Sequence, residues 1–369
     1  MPDFSGPSSN IPIADDLREA ADAAGLTYVS DDDPGYTRRK SGTGFTYRSP
    51  GGQRVTDRAL LKRMKALAIP PAWTQVWIGT DPNGHLLATG RDAKGRKQYI
   101  YHPRFRASRE EAKYERLIDF AALLPRIRKA VARHMALRGL PREKVLATIV
   151  HLLETTLIRV GNDEYARQNK SYGLTTLRTP HVKIEGSELR FEFKGKSGKI
   201  WRLKLRDRRI AKVIRACQEL PGQQLFQYID DDGERRGVTS TDVNAYLREI
   251  AGCEVTAKDF RTWAGTVMAA LALGQVGPFT SPTDSKRKIK AAIDAVATKL
   301  GNTPTICRKC YVHPNILEGY LSGRLAKEIR MDEGTAPSDG LLAEEAAVLS
   351  YLSRTTARQT VRKTFSAAA

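Results

Sequence analysis

The stretch Glu188-Leu189-Arg190-Phe191-Glu192-Phe193-Lys194-Gly195-Lys196-Ser197-Gly198-Lys199-Ile200-Trp201-Arg202-Leu203-Lys204-Leu205-Arg206 decides the fold class. Leu189, Phe191 and Phe193 alternate with charged residues, and so do Trp201, Leu203 and Leu205. A period of two gives each run one apolar face, so both read as strands, with Gly195 to Lys199 as the hairpin tip. On either side the period changes. Leu146, Ile149, Val150, Leu153 and Leu157 form one helical stripe after Pro141, a good first-turn residue. Downstream, a helix from about Asp284 ends at Gly301, and Thr303-Pro304 opens another as N-cap and first helical residue. A small antiparallel sheet set into a mostly helical region makes the chain α+β.

Upstream the signals are mainly strand. Phe45-Thr46-Tyr47-Arg48 runs into the turn Ser49-Pro50-Gly51-Gly52. Gln75-Val76-Trp77-Ile78 and His85-Leu86-Leu87-Ala88 flank Asp81-Pro82-Asn83-Gly84 as a second hairpin. Leu60, Leu61, Met64 and Leu67 fall at helical spacing and stop before Pro70-Pro71. Ser108-Arg109-Glu110-Glu111 reads as a helix start, which places a domain boundary at 106/107. Residues 1–106 then form a small β-rich domain with one helix, and residues 107–369 a mostly helical domain with a tail. Residues 1 to about 40 are polar and are expected to pack loosely. Beyond Asp332 a Gly/Ala/Pro/Ser linker precedes one more helix, Leu341 to Leu352.

At 41% hydrophobic and 28% charged residues, the composition is that of an ordinary globular protein and excludes a mainly disordered chain. The formal net charge of +20 is not ordinary, and it points to a polyanion, nucleic acid first. No apolar run approaches the length that spans a bilayer, and Met1 to Asp16 has no signal-peptide core. Four cysteines in 369 residues make no disulfide scaffold, so a soluble, cytoplasmic protein with reduced thiols is expected.

Five stretches carry candidate chemistry. In Thr256-Ala257-Lys258-Asp259-Phe260-Arg261, Thr256 and Asp259 fit a capping box. That puts Arg261 in the first turns of a helix, where it can fork onto a phosphate or simply pair with an acid at the surface. Arg159, in Ile158-Arg159-Val160-Gly161-Asn162, ends a buried helix and needs a partner: a phosphate, Glu154 or Asp163. Lys196 at the hairpin tip is either solvated or a cation and proton donor toward a bound strand. Tyr311 closes the helix begun at Thr303, and a tyrosine there is either a packing residue or a nucleophile. Cys307-x-x-Cys310 lacks a second cysteine pair at ligand spacing, so no metal is expected. Finally, Gly90-Arg91-Asp92-Ala93-Lys94-Gly95-Arg96-Lys97-Gln98-Tyr99-Ile100-Tyr101-His102-Pro103-Arg104-Phe105-Arg106 interleaves six cations with aromatic residues against one Asp. Arg91, Lys94, Arg96 and Lys97 suit phosphates, while Gln98, Tyr99 and Tyr101 suit bases or sugars.

The order of these pieces is more specific than any one of them. Arg159, Lys196, Lys258-x-x-Arg261 and Asn302 followed by Tyr311 resemble the active-site series of type IB DNA topoisomerases, above all the small poxvirus-like and bacterial members. Tyr172-Gly173-Leu174-Thr175-Thr176-Leu177, Phe193-Lys194-Gly195-Lys196-Ser197-Gly198-Lys199 and Lys258-Asp259-Phe260-Arg261-Thr262 carry the likeness, which spans roughly Gly42 to Gly323. Many members have His where this chain has Asn302, and Asn donates a hydrogen bond but carries no charge.

The resemblance implies a two-domain clamp around duplex DNA. Tyr311 would be the nucleophile, Arg159, Arg261 and Asn302 the phosphate clamp, and Lys196 the acid for the leaving 5′ oxygen, with Lys258 among the DNA contacts. It implies relaxation of supercoils of either sign by a nucleoid-associated monomer, with no cofactor, metal or ATP. A tyrosine recombinase shares the Arg-Lys-Arg-Tyr logic but usually carries His-x-x-Arg where this chain has Lys258-x-x-Arg261. A non-catalytic basic DNA-binding protein would leave Tyr311 unreactive.

Overall fold

The computed structural model describes residues 11–329 and 340–367. They divide into two compact units, Met1–Tyr114 and Glu115–Ala369.

In the first unit the elements run α1 (Ile11–Ala23), β1 (Tyr36–Ser41), β2 (Gly44–Arg48), α2 (Arg58–Ala66), β3 (Thr74–Ile78), β4 (Leu86–Arg91) and β5 (Lys97–Tyr101). The strands form one antiparallel sheet in the order β2-β1-β3-β4-β5. Tyr47, Met64, Ile69, Val76, Ile78 and Ala88 make its core, so α2 covers the face that the alternating apolar residues prepare. The expectation of a loosely packed N-terminus is corrected here for residues 11–41. Tyr36–Ser41 supplies a strand between β2 and β3, and Ala21 and Leu26 are buried with Phe105. The polar composition misled because β1 pairs on both edges and is held by ladder bonds rather than by apolar side chains. Residues 1–10 lie outside the described residues.

Helix α3 (Pro103–Met135) begins earlier than Ser108, and the division between the units falls inside it, after Tyr114. Pro103 suits the first helical position, and the His102 ring nitrogen Nδ1 accepts from the Arg104 N–H at 3.1 Å, so the start is capped upstream of the serine.

In the second unit α4 (Arg142–Thr156) and α5 (Asp163–Asn169) precede the sheet β6 (Val182–Glu185), β7 (Glu188–Lys194) and β8 (Ile200–Arg206), ordered β6-β7-β8. Phe193 pairs with Trp201 in register, as the alternation requires. Then come α6 (Arg208–Glu219), a two-strand ribbon of β9 (Gln227–Ile229) and β10 (Arg235–Gly237), α7 (Ser240–Ala251), α8 (Ala257–Gln275) and α9 (Pro282–Leu300). The chain continues through α10 (Pro304–Cys310), α11 (Pro314–Leu321), α12 (Arg324–Glu328) and α13 (Ala343–Ala367). Helix α8 is central and packs on α4, α7, α9, α11 and α13.

The tail helix is longer than the expected Leu341 to Leu352, and most of the expected linker lies outside the described residues. It is held by side chains as well as by apolar packing. Arg128 bridges Glu154 at 2.7 Å and Glu345 of α13 at 2.8 Å, and the Trp263 indole N–H donates to Glu345 at 3.3 Å. Among the described residues no helix is long and apolar enough to cross a membrane.

Candidate active site

Arg261 sits one turn into α8. The Asp259 carboxylate accepts from the Thr256 backbone N–H and hydroxyl, each at 2.8 Å, and sets the start of the helix. The side chain is not the exposed arginine that composition favours: it is 3% exposed. Its guanidinium donates to the Leu157 carbonyl and, at 2.6 Å, to the Leu300 carbonyl. Those carbonyls end α4 and α9, where unpaired C=O groups carry the negative pole of each helix. Two helix ends therefore hold a buried cation without using a carboxylate. Leu157 adopts a left-handed conformation (φ 57°) that turns its carbonyl inward. Burial, with the neighbouring Arg159 charge, pulls Arg261 down to about 10, so it is still cationic at neutral pH. Its Nε is buried with no hydrogen-bond partner among the described residues.

Arg159 follows two residues after that turn. It donates to the Gly301 carbonyl at 3.4 Å and to the Asn302 side-chain oxygen. Neither acid considered from the sequence is its partner, and Glu154 is bound to Arg128. Its loop is pinned from behind: Leu174 N–H donates to the Arg159 carbonyl at 2.9 Å and Thr175 N–H to the Val160 carbonyl at 2.7 Å. Gly161 (φ 112°) and Gly173 meet face to face, because a Cβ on Gly173 would stand 2.6 Å from Gly161 Cα.

Asn302 spends its oxygen on Arg159, while its Nδ2 is buried without a partner among the described residues. It is a neutral donor waiting for an acceptor, which is what an anion-binding site needs. Tyr311 caps the C-terminus of α10, its N–H donating to Cys307 at 2.9 Å. The Arg261 guanidinium carbon lies 5.4 Å from the centroid of its ring. The Tyr311 side chain couples electrostatically to both guanidinia.

Arg159, Arg261, Asn302 and Tyr311, drawn from four separate elements, thus share one corner of the second unit. Lys196 is exposed in the single turn Lys196–Gly198 at the β7–β8 tip, outside that bonded corner. Lys258 is exposed on the first turn of α8. Sequence reasoning missed Gly265, whose missing Cβ lets the Tyr311 carbonyl approach α8, and Trp201, whose ring lies against Gly301. A lone glycine four residues after Arg261 in a good helix was the available signal for the first.

In the β-rich unit the expected nucleic-acid stretch, residues 90–106, covers the tip and second strand of the β4–β5 hairpin and runs into the start of α3. Asp92 organises its tip: it pairs with Arg96 at 2.6 Å, accepts from Gln98 at 3.0 Å, and is lowered to about 2 chiefly by the Arg96 hydrogen bond. Arg91 bonds Gln75 and the Gly95 carbonyl, and Lys97 pairs with Asp31 at 2.7 Å. Lys94 is exposed and makes no ion pair among the described residues. Tyr99, 47% exposed, stacks on Tyr101 with ring centroids 5.8 Å apart.

Two family models match. One, eukaryotic DNA topoisomerase I, catalytic core, covers residues 102–332 and so contains the whole corner. The other, bacterial DNA topoisomerase IB, N-terminal domain, covers residues 44–92. DNA topoisomerase 1B of Acanthamoeba polyphaga mimivirus is 36% identical over 78% of this chain and 87% of its own length. The chain belongs to the type IB DNA topoisomerase family. DNA topoisomerase I of Monkeypox virus is 24% identical to this topoisomerase over 63% of the chain and 72% of the viral protein. Among solved structures, the XerH site-specific recombinase bound to difH substrate aligns with 55% of the chain and 52% of its own at a TM-score of 0.33 and 15% identity, a likeness too slight to carry an argument. This topoisomerase is an isomerase acting on DNA, as the order of its motifs implied. Its N-terminal unit resembles a bacterial model while the relatives named here are viral. Among the described residues no group of three or more His, Cys, Asp and Glu is placed to hold a metal.

Proposed function

We propose that Tyr311 opens one DNA strand and that the three residues grouped with it, Arg159, Arg261 and Asn302, stabilise the reaction at phosphorus. The Tyr311 oxygen attacks the scissile phosphate, a P–O bond to tyrosine forms, and the bond to the 5′ oxygen breaks. The phenol gives up its proton to solvent water, and the departing 5′ oxygen takes one from Lys196. The diester keeps one negative charge before and after, so the linkage stores the bond and resealing reverses the steps without ATP. In the five-coordinate state, negative charge grows on the non-bridging oxygens. Arg159 and Arg261 meet it with permanent charge and Asn302 with its unused N–H. A phosphate also relieves the mutual repulsion of the two guanidinia and supplies the acceptor that Asn302 Nδ2 lacks.

The observation that carries this reading is the Arg261 guanidinium over the Tyr311 ring, 5.4 Å from its centroid, beside the orphaned Asn302 donor. The β-rich unit adds DNA affinity through the Arg91–Tyr101 hairpin, and the two units act as a clamp on the duplex, as a monomer. The test is relaxation of positively and negatively supercoiled plasmid in excess chelator without nucleotide, with denaturation to trap a covalent adduct. Wild type should relax both and form the adduct. Tyr311→Phe should bind duplex and form none; adduct in that variant would move the nucleophile elsewhere, with Tyr320 the next tyrosine to examine.

A further inference from the structure

The clamp residues are held by backbone: Arg261 by two helix-end carbonyls, and Asn302 by its N–H to the Ala297 carbonyl at 2.9 Å. Among the described residues Lys196 has no comparable support. Its hairpin tip is closed by Gly195 N–H to the Lys199 carbonyl at 2.8 Å and by Gly198 N–H to the Gly195 carbonyl at 3.1 Å. The strand below is anchored by Tyr172 N–H to the Lys194 carbonyl at 2.8 Å. None of these bonds ties the tip to the corner that holds the phosphate.

One ring does. Trp201 stands in register with Phe193, whose ring stacks on it at 6.3 Å and 2° between planes. One edge of the indole lies on Gly195: a Cβ there would be 2.7 Å from Cδ1. The other edge lies on Gly301, where a Cβ would be 2.8 Å from Cζ2. The same indole therefore touches the residue before Lys196 and the residue before Asn302, and both neighbours are glycines that leave room for it. Gly301 has its own reason to be glycine, a left-handed helix end at φ 62°, but Gly195 has an ordinary negative φ and needs none for its backbone. Its missing side chain is explained by the indole.

We propose that Trp201 is a positioning residue, a rigid spacer that fixes the Lys196 hairpin against the Asn302 loop and so sets where the acid stands relative to the phosphate. The inference rests on Lys196 being the acid. The Gly301–Asn302 side has independent helix-end bonds, Gly301 N–H to the Ala297 and Thr298 carbonyls, so removal of the ring releases the hairpin rather than the clamp.

The test is single-turnover cleavage by the full chain on normal duplex and on duplex with sulfur in place of the bridging 5′ oxygen, a leaving group that departs without a proton. A general acid contributes about 10² to 10⁴ in rate, and misplacing it forfeits part of that. Trp201→Ala should cleave normal DNA at least about tenfold slower than wild type. It should approach wild type on the sulfur substrate and bind duplex as before, with Trp201→Phe intermediate. Wild-type cleavage of normal DNA by Trp201→Ala, or equal slowing on both substrates, overturns the proposal. If that variant does not fold, the ratio of the two rates for Trp201→Phe decides in the same way. Lys196→Ala is measured alongside. If sulfur does not rescue it, the acid assignment itself falls and takes this inference with it; if sulfur rescues Lys196→Ala but not Trp201→Ala, only the role of Trp201 is lost.

Discussion

Gly265 of α8 is packed directly against the backbone carbonyl of Tyr311. It lies one turn beyond Arg261, so a single face of α8 carries both the guanidinium over the tyrosine ring and the gap that admits the tyrosine backbone. The next contact tightens the same seat: His313 N–H donates to Thr266 Oγ1 at 3.1 Å.

Gly265→Ala is therefore expected to act against its usual sign. In an open helix the change stabilises by about 1 kcal/mol. Here the new Cβ pushes the Tyr311 carbonyl away and moves the proposed nucleophile. Covalent-adduct formation should fall by up to about 10²-fold, the cost of a displacement near 1 Å at a reacting centre. Duplex affinity should be retained. Wild-type adduct formation would show that the Tyr311 backbone tolerates the shift.

Arg261→Lys should fail although it keeps the charge. One ammonium cannot span the Leu157 and Leu300 carbonyls and still face a phosphate, as the planar guanidinium can. A loss of about 10² to 10³ in cleavage rate is expected, as for removal of one preorganised donor. A rate within a few-fold of wild type would mean charge alone suffices.

The two guanidinia also predict a thermal shift. Burial first, then Arg159, lowers Arg261, so the free site carries a cost that an anion between them removes. Orthovanadate, which adopts the five-coordinate geometry of the reacting phosphate, should raise the melting temperature. Saturation to one hundred times Kd is worth about 2.7 kcal/mol. Arg261→Ala should lose most of the gain. An equal gain in that variant would locate the anion elsewhere on this basic protein.

Acid should weaken the β-rich unit. His85 is buried between Tyr28 and Phe105, and its Nδ1 accepts from the Val29 N–H at 3.2 Å, so the packed form is the neutral ring. Burial lowers its pKa. With the folded value below the unfolded one, the unfolded chain binds the proton first. Stability is then fully present above about 6.5 and is lost as pH falls below it. His85→Asn keeps an acceptor without the titration, so its melting temperature should vary less between pH 7.5 and 5 than that of wild type. Parallel curves would assign the acid loss to another group.

The hairpin cations should differ in their salt response. Arg96 and Lys97 have acid partners, whereas Lys94 makes no ion pair among the described residues. If Lys94 contacts a phosphate, Lys94→Ala should flatten the slope of log affinity against log salt by about 0.9, and Arg96→Ala by less. Equal slopes for Lys94→Ala and wild type would place the duplex elsewhere.

Much of this enzyme was legible along the chain. Alternation at 188–206, the glycine at 301 and Thr303-Pro304 each report a local backbone preference, and local preference is what sequence encodes most directly. The order of Arg159, Lys196, Arg261, Asn302 and Tyr311 was legible for a different reason: the series as a whole resembles the active-site order of the type IB topoisomerases, although each residue alone admitted a structural reading. What only the tertiary structure decided is who holds whom. Arg261 bonds two carbonyls 104 and 39 positions away, and nothing in its own stretch names them, because every residue offers the same backbone carbonyl. The helical start at Pro103, the strand at Tyr36–Ser41 and the seating of Trp201 between two glycines are likewise relations between distant segments. Sequence named the candidate groups for the proposed chemistry. Their arrangement came from helix ends and missing side chains meeting across the fold, and that is a property of packing rather than of any residue alone.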